Sequence, residues 1–184
     1  MNTNEVRESL DNRNNPDNQN NTDSLDGVDR LPEHTPRLDW AELAPEAFKA
    51  MVRLDTAAKR GLAPVLLNLV KIRASQINHC AFCLDMHSKD ALAAGESAER
   101  ILQLDAWRES KHFYTAKEVA AIELTEAITV LTDGFVPDEV YARAAAEFDE
   151  SELARLIVAI TTINAWNRFG VSTRLVPGHY TPAT

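Results

Sequence analysis

Two cysteines occur in the chain, and they stand three residues apart in Cys80-Ala81-Phe82-Cys83, with His87 four residues further on. Random scatter of two residues over a chain of this length would give that spacing only about 1% of the time, so the pairing carries information. At positions i and i+3 of a helix two sulfurs share a face and can close a short disulfide. His87 falls on the same face, at i+4 from Cys83 and i+7 from Cys80. An imidazole there can take a thiol proton or stabilise a thiolate. Free cysteine has a pKa of about 8.5 and the thiolate is the reactive species, so a neighbouring base changes what the pair can do. A helix beginning near Cys80 would favour negative charge there as well. Dithiol–disulfide chemistry is the expectation.

Two blander readings compete with it. Buried structural cysteines beside a core histidine would need no chemistry. A zinc site would draw on His79, Cys80, Cys83 and His87, but four ligands from one short stretch would strain a tetrahedral shell, and no second Cys-x-x-Cys is present. A thioredoxin-like fold does not fit, because that motif follows a strand in a βαβ unit and no strand pattern is visible. No metal or organic cofactor is called for.

The elements that must position these residues read as helices throughout, with no sheet, and about six to seven of them. A first helix is expected over about residues 40–60, stopping at Gly61. A second starts near Pro64 and runs to about Gln76. A third contains the cysteines and ends at Gly95, and a short one follows from Ser97. Thr115 and Glu118 form a capping-box pair opening a fifth, to about Thr132. Pro137 at a first helical position opens a sixth, to about Phe148. Asp149 or Ser151 starts the last, in which Leu153 to Phe169 (LARLIVAITTINAWNRF) is apolar around most of its circumference. Such a helix needs cover on nearly every side, which predicts a homo-oligomer.

Composition divides the 184 residues in two. Residues 1–40 hold nine acidic and four basic side chains, and the first thirty carry eight asparagines and few large apolar groups. Such a stretch cannot bury enough surface to offset its ordering entropy, so residues 1–36 are expected to be a disordered tail and 37–184 one domain. A net charge of −9 argues against nucleic acid or an anionic membrane as partner. The acidic N-terminus has no apolar signal segment, and the run Leu62–Val70 is too short to span a bilayer, so the expectation is a cytoplasmic protein with reduced thiols.

The stretch Ile72–Ala91 (IRASQINHCAFCLDMHSKDA), followed by Ala94-Gly95-Glu96, resembles the core of the alkylhydroperoxidase AhpD-like proteins of the carboxymuconolactone decarboxylase superfamily. Asp105–Glu109 (DAWRE), Ile163–Arg168 (INAWNR) and Pro177–Tyr180 (PGHY) resemble the same branch, so the similarity spans about Trp40 to Tyr180. The resemblance implies an all-α bundle assembling as trimers or hexamers, with peroxidase or disulfide-reductase activity. It implies that Cys83 attacks a hydroperoxide, that Cys80 resolves the sulfenic acid to a disulfide, and that His87 relays protons. An external dithiol, a thioredoxin-like or lipoyl protein, would then reduce the disulfide. Elsewhere in the superfamily the chemistry is lactone decarboxylation, which gains nothing from a dithiol; a non-catalytic redox sensor or scaffold is a third reading.

One departure from the pattern bears on mechanism. The family places a glutamate twelve residues before the first cysteine, and here that position is Asn68. An amide can orient a water or an imidazole but cannot exchange a proton near neutral pH. Asp85 or another acid would have to take over, or turnover would be slow. His79 offers a second imidazole beside Cys80, or is a solvent-exposed loop residue. Trp107, Trp166 and Tyr180 are read as core more than as pocket lining. Asn164, Asn167 and Arg168 are expected to satisfy buried backbone or an interface. Arg73 and Gln76 are placed to orient the active face, and Glu147, Asp149, Glu150 and Glu152 read as a solvated helix start. His112 and His179 belong to no constellation.

Overall fold

The computed structural model describes residues 31–182, and these form eight α-helices and two short 3-10 turns, with no strand among them. Most of the predicted tail therefore lies outside the described residues. The helices are α1 (Trp40–Leu43), α2 (Pro45–Ala58), α3 (Pro64–Ile77), α4 (Ala81–Ala93), α5 (Ala98–Gln103), α6 (Ala116–Thr129), α7 (Asp138–Glu147) and α8 (Glu150–Thr173).

Local chemistry accounts for most of these boundaries. The expected single helix over 40–60 is instead two, because Pro45 disfavours helical geometry at Ala44, which sits at φ −131° and ψ 58°. Pro64 opens α3 at its first turn, where no N–H is needed. The Thr115–Glu118 capping box is formed in both directions and starts α6, which ends three residues earlier than the sequence suggests, at Thr129. Pro137 caps α7 instead of occupying its first turn. Asp149 and Glu152 form a second capping box at the start of α8. Gly61 supplies the positive φ (80°) that the turn into α3 demands.

Helix α3 is the hub, packed against α4, α6 and α8. Its first half joins α6, α7 and the start of α8 in an apolar core that includes Leu66, Val70, Leu124, Phe148, Leu156 and Ile160. A second cluster, with Leu69, Ile72, Leu104, Trp107 and Ile122, fills the space between α3 and α6. A third, aromatic cluster ties the chain's first helices to the end of α8. There Trp40 stacks on Phe169 with centroids 3.9 Å apart, and Trp166 meets Trp40 and Phe48 at tilted or edge-on angles. Trp107 is thus a core residue, and Trp166 packs half-buried against the aromatic cluster. No described helix is long and apolar enough to cross a membrane.

Candidate active site

Helix α3 ends at Ile77 and the chain turns sharply before α4 starts at Ala81. The turn passes through His79, whose φ of 54° is left-handed, and reaches Cys80 as the N-cap of α4. His79 is exposed to solvent. Cys83 and His87 follow on one face of α4. Both cysteines are free thiols, 1% and 3% exposed, and their sulfurs lie 2.7 Å apart. Joining them needs no rearrangement of the backbone.

The two thiols are not equivalent. A hydrogen bond from Cys83 holds the Cys80 thiol below its ordinary pKa despite burial, with Asn167 acting in the same direction. Cys83 is pushed well above its ordinary value by that same bond to Cys80 and by burial. Cys80 is therefore the more readily ionised thiol of the pair, at the helix N-terminus where unpaired N–H groups favour an anion.

His87 is 3% exposed, and burial pushes its pKa down to about 4, against the opposing pull of Asp90. At neutral pH it is an uncharged imidazole able to accept a proton. Its Nδ1 lies 3.8 Å from Asp90 Oδ2, and the other oxygen of Asp90 accepts a 2.5 Å hydrogen bond from Tyr180. Burial would raise the Asp90 carboxyl, but the imidazole and the phenol together hold it below its ordinary value.

Beneath the motif lies a buried ion pair that the sequence reading missed. Lys71 of α3 donates to Asp55 of α2 at 3.0 Å, and Lys59 reaches the same carboxylate at 2.7 Å. Burial pulls the Lys71 ammonium down, while Asp55 opposes the fall. Burial by itself would raise Asp55, but Lys71 and Lys59 bring it to about 2. A charged side chain interrupting the apolar run of α3 was the available signal; its partner, sixteen residues earlier, had none.

A line of polar side chains seals α8 against α3. Ser75 donates to Lys71 O at 2.7 Å and accepts from Asn167 at 2.9 Å. Asn78 donates to Asn164 and Asn167 at 2.9 and 3.0 Å, and Asn164 donates to Thr129. Asn164 thus satisfies buried backbone as expected, donating to Ile160 O at 2.9 Å, whereas Asn167 donates to the Ser75 side chain and also bears on both sulfurs. Arg168 is exposed and donates to Asn164. One turn on, Gly170 lets the helix approach the pair so closely that a Cβ there would stand 2.8 Å from Cys80 Sγ. Glycine inside a helix costs about 1 kcal/mol against alanine, which is the signal by which Gly170 was findable.

The remaining predicted residues are placed as follows. Asn68 is half-buried on α3 and makes no hydrogen bond to His87 or either cysteine. Asp85 is occupied, accepting from Lys89 at 2.9 Å and from Gly178 N at 2.9 Å. Arg73 and Gln76 bond one another at 3.0 Å, and Arg73 also reaches Glu126 and Asp105. Arg73 borders a cleft of about 400 Å³ with Arg108, Glu126 and Arg143, on the face of α3 opposite Lys71, Ser75 and Asn78. His179 contacts Glu33, and His112 packs on Phe113. Glu152 binds Lys117 besides capping α8. Among the described residues, no cluster of three or more His, Cys, Asp or Glu side chains is arranged to hold a metal ion.

Comparison with known proteins agrees with this geometry. The sequence profile of the carboxymuconolactone decarboxylase family matches residues 45–127. An uncharacterized Bacillus subtilis protein, YdfG, is 42% identical over 137 residues, which are 74% of this chain and 92% of that protein. An uncharacterized Escherichia coli protein, YnjA, is 35% identical over 108 residues, 59% of this chain and 58% of its own length. A crystal structure of a protein of unknown function from Agrobacterium tumefaciens, described as a candidate AhpD antioxidant defence protein, superposes with a TM-score of 0.75 at 37% identity. It covers 78% of this chain and 99% of its own. With dithiol motif, helical order and relatives in agreement, the chain belongs to the carboxymuconolactone decarboxylase family and has an AhpD-like fold.

Proposed function

We propose that this protein is a cytoplasmic peroxidase of the alkyl hydroperoxide reductase type, working through a Cys80–Cys83 dithiol–disulfide cycle. The observation that carries the reading is the buried pair of free thiols 2.7 Å apart at the start of α4, with neutral His87 on the same helix face. The Cys83 proton passes to His87, and the thiolate attacks a hydroperoxide, giving a sulfenic acid and the alcohol. The Cys80 thiol then loses its proton as it attacks that sulfur, and the displaced hydroxide takes up a proton to leave as water, forming the disulfide. Two thiols and one hydroperoxide thus give one disulfide, one alcohol and one water. An external dithiol, on a thioredoxin-like or lipoyl protein, returns two electrons and two protons.

The unequal thiols fit this order. Cys80, the more readily ionised thiol, suits the second step, whereas Cys83, with its pKa raised, needs His87 for the first. Burial of both sulfurs means that oxidant reaches them only when the surrounding chain opens. That burial also favours a second reading, a redox sensor that oxidises once and waits. Assembly into trimers or hexamers belongs to the proposal as well.

Stopped-flow mixing of the reduced protein with cumene hydroperoxide tests it. One intramolecular disulfide forms per hydroperoxide, and a dithiol reductant sustains many turnovers. Full turnover in Cys83→Ser would overturn the mechanism, and oxidation without sustained turnover would leave the sensor.

A further inference from the structure

The residue at the family's glutamate position cannot carry a proton, yet His87 is not left without an acid. Asp90 lies three residues along α4 on the same face, with one carboxylate oxygen fixed by the Tyr180 hydroxyl at 2.5 Å and the other 3.8 Å from His87 Nδ1. Asp85, the other acid on this helix near the motif, is taken up by Lys89 and the backbone of Gly178. The C-terminal segment that supplies Tyr180 is itself tied to α4, since Lys89 also donates to the carbonyls of Gly178 and Tyr180 at 3.1 and 3.0 Å.

We propose that Asp90, held in place by Tyr180, is the positioning carboxylate for His87, so that the relay runs along α4 and not through residue 68. The inference rests on the dithiol chemistry proposed above.

The charges facing His87 explain why a carboxylate is needed. Lys71 on α3 opposes protonation of the imidazole, Asp55 on α2 partly compensates, and Asp90 on α4 favours it. When His87 takes the Cys83 proton, an imidazolium forms in a dry site near a buried ammonium. A carboxylate near Nδ1 stabilises that cation as it forms. The present 3.8 Å is too long for a hydrogen bond to the neutral imidazole; such contacts tighten as charge develops. The proton later goes to the departing alkoxide, so no further reactant is required.

The test is a pH profile of two reactions of the reduced protein, disulfide formation with cumene hydroperoxide and alkylation of Cys83 by iodoacetamide, followed at that residue by mass spectrometry. In Asp90→Asn both rates fall at least about tenfold at neutral pH, where proton transfer to His87 carries the reaction. Both converge on the native rates at alkaline pH, where the thiolate forms unaided. Asp90→Glu keeps most of the neutral rate, and Tyr180→Phe loses several-fold with the same alkaline recovery. A fall that is uniform across pH, or no fall, overturns the assignment. If Asp90→Asn does not fold, Tyr180→Phe decides: an unchanged profile overturns the role, and a neutral-pH loss with alkaline recovery supports it. Native protein that alkylates with this profile but ignores the hydroperoxide would sink the peroxidase reading and leave the Asp90–His87 pairing standing.

Discussion

The two halves of α8 are built on opposite principles. From Leu153 to Ile160 the helix buries Leu153, Leu156, Ala159 and Ile160 in the apolar core with α3, α6 and α7. From Asn164 to Thr173 its buried positions are Asn164, Asn167, Gly170 and Thr173. The first half is held by area, which is non-directional and tolerant of repacking. The second, besides packing Trp166 and Phe169 on the aromatic cluster, carries hydrogen bonds of fixed geometry and a glycine against two sulfurs, which specify where α3, α4 and α8 sit relative to one another. The face of α8 towards the dithiol carries the directional interactions, while its first half carries only bulk apolar ones.

That contrast can be broken most sharply at the buried ion pair. Asp55→Asn leaves the Lys71 ammonium without its carboxylate partner and should cost about 3–5 kcal/mol in urea unfolding, whereas replacing both residues by leucine should recover most of it. The pair also fixes an acid limit. The Asp55 carboxyl is depressed in the folded protein, to about 2, so its contribution is present above the unfolded value of about 4 and is lost as pH falls from there. A stability curve flat through that window would contradict the assignment.

On the apolar side, Leu156→Ala should cost about 2–5 kcal/mol while leaving the rate of thiol oxidation unchanged. A change in thiol reactivity would show that the two halves are coupled. Gly170→Ala is the converse experiment. Overpacking against Cys80 costs about 1–3 kcal/mol and the better helix former returns about 1, so the net loss should be about 0–2 kcal/mol. The sulfur pair must shift, however, and the lower thiol pKa, read from thiolate ultraviolet absorbance, should rise. An unaltered titration would mean that the close approach has no bearing on the pair. The smallest effect is expected at His79, where glycine removes the strain of a left-handed backbone; His79→Gly should stabilise by about 1 kcal/mol in thermal unfolding. A loss of stability would show that the imidazole makes a contact worth more than the strain.

Several features were readable before folding because they depend on residues close in sequence. The Thr115–Glu118 capping box, Pro64 at a helix start, the stop at Gly61 and the shared face of Cys83 and His87 are all settled within a few residues by backbone geometry. Local rules also explain the misplaced boundaries: Pro45 acts on Ala44 whatever else the chain does, and the split of the expected first helix follows from that.

What the chain order by itself determined is the helical repertoire, the dithiol with its histidine, and the resemblance that named the family. Tertiary structure alone decided the rest of the site. Ser75 meets Asn167 across 92 positions of sequence, Tyr180 meets Asp90 across 90, and Lys71 finds Asp55 on another helix. The thiolate's preference for Cys80, the neutrality of His87 and the acid available to it all follow from burial and from these distant partners. The physical reason is range: dihedral preferences and capping act over one turn, whereas desolvation and a buried charge depend on what the fold brings within a few ångströms.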